Sequence, residues 1–245
     1  VLENPEYIPP KYPRTPHLPF SPEIHKDDRV TTALDNFIGK YVVITEKLDG
    51  SNCCIYNGKV YGRSHEVETD HPSYAPIKAF VSGFGYKDSS WVLYGENMFA
   101  VHSIEYKHIK SLMYLFAVLI PSKNEIMAYD TMNEFYDFEN EIPDYHYRNL
   151  DISYPLNITV VPSLFRGVFW DTASIKKWMD EAIKKESFCG GPCEGFVIRN
   201  AESFSFNDFE LNVAKYVRRG HVQDEEHWSR NWKKANIVYG RQSEE

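Results

Sequence analysis

In Glu46-Lys47-Leu48-Asp49-Gly50-Ser51-Asn52 a lysine ends one strand-like run just before a hairpin begins. A lysine so placed can turn its amine into a cleft and act as a nucleophile once it loses its proton. The same spacing alone has a plainer meaning, because Asp-Gly favours tight turns between strands. What separates the two readings is the company this lysine keeps. Arg63 in Tyr-Gly-Arg-Ser, Glu96 in Leu-Tyr-Gly-Glu-Asn, Glu194 in Cys-Glu-Gly-Phe-Val-Ile-Arg and Lys215 in Val-Ala-Lys-Tyr-Val-Arg follow in that order. Each carboxylate taken singly reads as a solvated strand end, since Asp and Glu are mostly exposed. As an ordered set of cations and carboxylates they read as one site.

This ordered set resembles the covalent nucleotidyltransferase superfamily of polynucleotide ligases and mRNA capping enzymes, and within it the ATP-dependent RNA ligases, over residues 41 to about 218. Two details favour that branch. Asn52 matches a position those ligases use, and Tyr94-Gly-Glu-Asn-Met-Phe-Ala-Val-His-Ser-Ile-Glu-Tyr106 is similar to their extended Gly-Glu segment. The phrase Tyr12-Pro-Arg-Thr-Pro-His-Leu-Pro-Phe-Ser21 resembles the N-terminal lead of small stand-alone members.

The resemblance implies that Lys47 attacks the α-phosphate of ATP and becomes adenylated. It places the nucleotide among Thr45, Glu46, Leu48, Asn52, Arg63, Glu96, Phe116, Glu194 and Lys215, with Phe116 stacking on adenine and Tyr114 as the competing choice. Asp49, Glu96 and Glu194 would hold Mg2+ or Mn2+, partly through water, because magnesium keeps several of its waters. A free lysine, with a pKa near ~10.4, is almost wholly protonated at neutral pH. Nearby cations or partial desolvation are expected to depress that value and free the amine. The implied reaction joins RNA 3′-hydroxyl and 5′-phosphate ends, a nicked duplex being one form of substrate, with the protein acting as a monomer.

One position departs from the pattern. Relatives often carry a Lys-x-Lys pair, whereas Val213 and Val217 flank Lys215, so Arg218 or Arg219 is the candidate replacement. DNA ligases and capping guanylyltransferases usually add an OB-like module after the last motif, and the stretch beyond Arg218 is too short for one. A catalytically inactive nucleotide- or RNA-binding module is the reading from another class. The intact Lys47, Glu96 and Glu194 argue against it. His17 and His102 read either as structural histidines or as phosphate or RNA contacts.

The elements that must position these residues are mostly strands. Runs at 41–45, 53–56, 59–61, 91–94, 114–120, 158–161, 195–198 and 212–217 read as strands, and Asn57-Gly58 reads as a two-residue hairpin turn. Residues 174–185 carry Ile175, Trp178, Met179 and Ala182 at helical spacing, and a second helix is expected from 224 to about 234. The pattern gives an α+β fold of antiparallel sheets with flanking helices, the catalytic fold of the nucleotidyltransferases by resemblance, built around an ATP cleft. Residues 1–40 form an arm packed on the core: Pro5, Pro9, Pro10, Pro13, Pro16, Pro19 and Pro22 forbid helix there. Residues 41–220 form the catalytic domain and 221–245 a helical tail, whose Trp228, Arg230, Trp232, Lys233 and Lys234 cap the core or touch RNA.

Composition sets the outer bounds. The formal net charge of -8 means that a nucleic-acid partner cannot be inferred from global charge and needs a local basic groove. Lys215, Arg218 and Arg219, and again Arg230, Lys233 and Lys234, are dense enough to supply one. The 17 Tyr and 15 Phe read as sheet core, with base stacking as the alternative. Cys53, Cys54, Cys189 and Cys193 lack the spacing of a disulfide framework or a complete zinc site, and read as free thiols in a reducing, intracellular compartment. No apolar run approaches the ~18 residues of a membrane span.

Overall fold

Tyr-Val-Val-Ile-Thr-Glu-Lys is rich in the β-branched side chains that fit a pleated surface buried on both faces, and it forms β1 (Tyr41–Lys47). The computed structural model describes residues 7–83, 90–136, 158–220 and 232–237. After β1 these run β2 (Ser51–Tyr56), β3 (Lys59–Tyr61), α1 (Ala75–Gly83), β4 (Val92–Asn97), β5 (Ala100–Val101), β6 (Met113–Ile120), β7 (Glu125–Ile126), α2 (Tyr129–Tyr136), β8 (Ile158–Val160), β9 (Ser163–Val168), α3 (Thr172–Ala182), β10 (Gly195–Asn200), β11 (Phe204–Ser205), α4 (Phe209–Asn212), β12 (Val213–Val217) and β13 (Lys233–Lys234). One sheet has the order β12-β10-β1-β9 and the other β11-β7-β6-β4-β2-β3. Both are antiparallel, except that β8 lies parallel to β6.

The two faces of β1 feed two cores. Val42 and Ile44 pack with Phe196, Ile198, Ala214 and Tyr216 against Ile175 and Met179 of α3. Val43 joins the other cluster, with Cys53, Ile55, Leu93 and Leu115 of the second sheet. Alternation along the strand therefore turns Val43, Thr45 and Lys47 toward the space between the sheets. At the second sheet Asn57 and Gly58 both have positive φ, 47° and 75°, the geometry of a two-residue hairpin turn whose twist matches its strands. α3 begins two residues before the helical run apparent in the sequence, because Asp171 caps it by accepting from Ser174 N–H at 2.7 Å.

From Tyr7 to Ala33 the described part of the proline-rich arm contains no helix and pairs with the core, while Leu34–Phe37, beyond the last proline of the arm, forms a 3-10 turn. Lys215 N–H donates to the Pro16 carbonyl at 2.8 Å, and Leu18 N–H donates back to the Lys215 carbonyl at 2.8 Å. Proline cannot donate, but its carbonyl serves a strand edge well. Tyr12 packs edge-on against Phe116 and Phe209, and Tyr94 Oη donates to the Pro10 carbonyl at 2.7 Å. The arm thus joins the edge of the first sheet to the face of the second. The helix expected from 224 to about 234 lies largely outside the described residues. Its last two positions are strand, with Lys233 opposite Val101 and Lys234 opposite Ala100.

Gly195 opens β10 directly beneath β12, where an added Cβ would sit 2.1 Å from the Tyr216 carbonyl oxygen. Backbone cannot yield as a side-chain tip can. Gly195→Ala is therefore expected to destabilise the fold by about 1–3 kcal/mol and to shift the neighbouring Glu194, a loss that urea unfolding would read as a lower midpoint.

Candidate active site

Lys47 is the last residue of β1, opposite Gly195, and the chain after it crosses from the first sheet to the second. Gly50 makes the crossing close: a Cβ there would lie 2.6 Å from the Asn97 carbonyl oxygen. The Gly50 N–H donates to Glu96 Oε1 at 3.1 Å. Asn52 pairs with Glu96 across β2 and β4, so both face the same side. The space between the sheets is a cleft of about 2000 Å³, larger than the ~300–1,000 Å³ that one small ligand needs.

Of the residues picked out in the sequence, Thr45, Glu46, Lys47, Leu48, Asp49, Asn52, Arg63, Glu96, Phe116 and Lys215 all line this cleft. Glu194 reaches it through Lys47, whose amine is ion-paired with the Glu194 carboxylate. Lys47 is about a quarter exposed (24%), while Glu194 is fully buried (0%). Burial pulls the Lys47 amine down, yet the carboxylates of Glu194 and Glu96 outweigh it and hold the pKa above the ordinary lysine value. The direction is opposite to the depression expected from sequence, because carboxylates and not cations are its nearest neighbours in the free protein. Glu96 shows the other side of the same crowding. Burial, opposed by Lys47 and reinforced by Glu194 and Asp49, pushes its carboxyl up to about 8.

Lys215 stands on β12 with its pKa lowered by burial and by Lys47. Beside it His17, brought in by the arm, is held at about 4 by burial and by Lys215, and bonds to Ser21 Oγ at 3.0 Å. Val213 and Val217 also line the cleft, whereas Arg218 and Arg219 do not. An arginine one residue beyond Val217 falls on the alternate face. Further cations lining the cleft are Lys11, Arg14 and Arg29, all three on the arm, together with Arg199 and Lys233. Glu46 turns its carboxylate toward the loop before β10, where Oε2 accepts from Phe188 N–H at 3.2 Å.

Phe116 and Tyr114 both border the cleft. Tyr114 is 3% exposed, with Phe188 packed edge-on at 5.4 Å. Phe116 is only partly buried, so it has the more accessible ring. Among the described residues no group of three or more His, Cys, Asp or Glu side chains forms a metal cage. Burial first, and the neighbouring Glu194 and Asp49 carboxylates second, hold Glu96 toward its neutral form, and a divalent cation at this place would favour the ionised form.

Sequence reasoning missed Ser103 and Tyr106, which bond to Asp49, and Tyr74, whose hydroxyl donates to the Asn52 carbonyl at 2.7 Å. They lie far from their partners in sequence, and only the Gly-Glu segment gave any signal for the first two. All four cysteines are buried free thiols. Among the described residues no helix is long and apolar enough to cross a membrane.

Two antiparallel sheets flanking a cleft, with a lysine at the strand crossing and carboxylates around it, define a nucleotidyltransferase-like fold. The chain belongs to the RNA ligase family, whose model matches residues 40–217. Among solved structures it is similar to an RNA ligase of Naegleria gruberi with PPi, at 18% identity and a TM-score of 0.51, covering 85% of this chain and 61% of that one. A variant of that ligase with ATP and Mn aligns at 16% identity and a TM-score of 0.48, covering 86% and 61%. The chain thus spans about three-fifths of the length of these solved relatives. No match was found among curated proteins.

Proposed function

We propose that the protein is an ATP-dependent RNA ligase that joins RNA 3′-hydroxyl and 5′-phosphate ends through AMP carried on Lys47. The observation that carries this reading is the position of Lys47: a partly exposed lysine lining the cleft, ion-paired to a buried glutamate and held beside a second. A cleft of about 2000 Å³ has room for a nucleotide and a polynucleotide end together.

Lys47 Nζ attacks the α-phosphorus of ATP, forming a P–N bond as the α–β P–O bond breaks and pyrophosphate leaves. The ammonium must first give up a proton, and Glu194, its ion-pair partner, is the nearest acceptor. Glu96 and Glu194, with Asp49, would hold Mg2+ or Mn2+, which would supply charge neutralisation at the α-phosphate. Lys215, Arg63 and Arg14 face the phosphates, and Phe116 stacks on the adenine. A 5′-phosphate oxygen then takes the AMP from Lys47, and a 3′-hydroxyl displaces AMP from the activated end. The reading includes a monomer that accepts nicked or single-stranded RNA, in a reducing intracellular compartment where four thiols stay reduced. It also keeps the domain plan of an arm at 1–40, a catalytic unit at 41–220 and a tail beyond.

The test is incubation with a divalent ion and α-labelled ATP or GTP in parallel, followed by denaturation. Acid-labile label on the chain from ATP is expected. Label from GTP would point to capping chemistry, and none from either nucleotide, even after pyrophosphate treatment to clear bound AMP, would leave a binding module. Phe116→Ala should raise the ATP concentration for half-maximal labelling about tenfold, since stacking on a base contributes ~1–3 kcal/mol, with the maximal rate little changed. Tyr114→Ala producing that effect in its place would reassign the stacking residue.

A further inference from the structure

Residues 102–106 carry none of the side chains assigned to the nucleotide, yet this segment is bonded to the turn after Lys47 at four points. Asp49 Oδ2 accepts from Ser103 Oγ at 2.9 Å and from the Ile104 N–H at 2.7 Å. The Asp49 N–H donates to Tyr106 Oη at 3.0 Å. Ser51 Oγ and His102 Nε2 lie 2.9 Å apart. Ile104 and Tyr106 are anchored in the core at 3% and 2% exposure, so the segment is fixed on its far side. It is also braced from outside. β13 pairs with β5 immediately before it, and Lys233 forms an ion pair with Glu105.

An Asp-Gly turn is a soft place to mount a nucleophile, since glycine accepts many backbone conformations. The Gly50 N–H bond to Glu96, the strand pairings and the buried Leu48 side chain also restrain it. Four bonds onto a segment that Ile104 and Tyr106 anchor in the core add to what the turn itself provides. We propose that residues 102–106 are a positioning clamp for Lys47, with Asp49 as its anchor. The clamp fixes the 48–51 turn and thereby the approach of the amine to the α-phosphate. This inference rests on the ligase reading. A displacement of about 1 Å at a reacting group can cost ~10²-fold in rate, which sets the scale of the effect.

The experiment measures single-turnover formation of lysyl-AMP against ATP concentration for wild type, D49A, D49N, S103A and Y106F, with sealing of pre-adenylated RNA and thermal unfolding in parallel. D49A should slow the maximal rate about 10²-fold without changing the half-saturating ATP concentration. D49N keeps a side-chain oxygen to accept from Ser103 and Ile104, and should recover at least about tenfold of that loss. Ser103 is at the surface, so S103A should fold normally and still slow adenylation about tenfold, while sealing of pre-adenylated ends stays near the wild-type rate. Wild type that labels while D49N is as slow as D49A and S103A is unaffected would overturn the clamp alone. Loss of pre-adenylated sealing in S103A or Y106F by the same factor as adenylation would also overturn it, because the segment would then support the whole cleft. A wild type that takes no label overturns the ligase reading and the clamp with it.

Discussion

Lys47→Ala should take no label from ATP at all, while still joining a pre-adenylated RNA strand to a 3′-hydroxyl. The two outcomes separate because only the first half of the reaction uses the amine as nucleophile. In the last step AMP leaves from the RNA end, and the groups proposed to hold phosphate and charge around it are Lys215, Arg63 and the carboxylates, not the Lys47 amine. The substitution also has a cost in stability, for it leaves Glu194, fully buried, without its ion-pair partner. Removing one member of a buried pair typically costs about 3–5 kcal/mol, and the partial exposure of Lys47 puts this case toward the lower end. Thermal unfolding of the variant beside the labelling assay would show both effects. Covalent label persisting on the alanine variant would remove the central assignment.

The lysine and its partners were legible because strand chemistry and motif order are local properties. β1 reads directly from Val42, Val43, Ile44 and Thr45, and the hairpin from Asn57-Gly58; both form, with β1 running two residues further to Lys47 and β2 beginning two earlier at Ser51. α1 has Pro76 in its first turn and spans only nine residues, so no sustained period announced it. β9 is an edge strand with a half-exposed pattern and Gly167 inside it, which obscures alternation. The arm was legible as extended but not as to where it lies, because its docking depends on the Lys215 backbone and on Tyr94 and Phe116, far along the chain. The protonation of Lys47 was misjudged for the same reason: its sign is set by which charges surround it, and those come from β4 and from the residue before β10. Lys233 and Lys234 carry strong helix-forming side chains, but the exposed edge of β5 recruits them as strand, an override of propensity by tertiary pairing.

Glu96→Gln is expected to make the metal-free protein more stable at alkaline pH while reducing lysyl-AMP formation by at least ~10²-fold, the scale of losing one group that stabilises developing charge. The sign follows from the direction of its shift. Burial pushes the Glu96 carboxyl from 4.5 up to about 8 in the fold, so the folded state favours the protonated form. The stability that this supplies is fully present below about pH 4.5 and is lost as the pH rises through about 8. Glutamine keeps an acceptor for the Gly50 N–H and cannot ionise, so the penalty disappears. Each pKa unit corresponds to about 1.4 kcal/mol. The full shift is an upper bound, and a gain of about 2 kcal/mol, or roughly 4–8 °C in Tm, is expected near pH 9 for a chain of this size. Near pH 4 the two proteins should unfold together. Thermal melts in the presence of a chelator across that range give the measurement. A Tm for the variant below wild type at pH 9 would mean that the Glu96 carboxylate is stabilised in the free cleft. Adding magnesium should narrow the alkaline gap by favouring the ionised carboxylate in the wild type, which would tie the Glu96 charge to the divalent ion proposed to bind beside it.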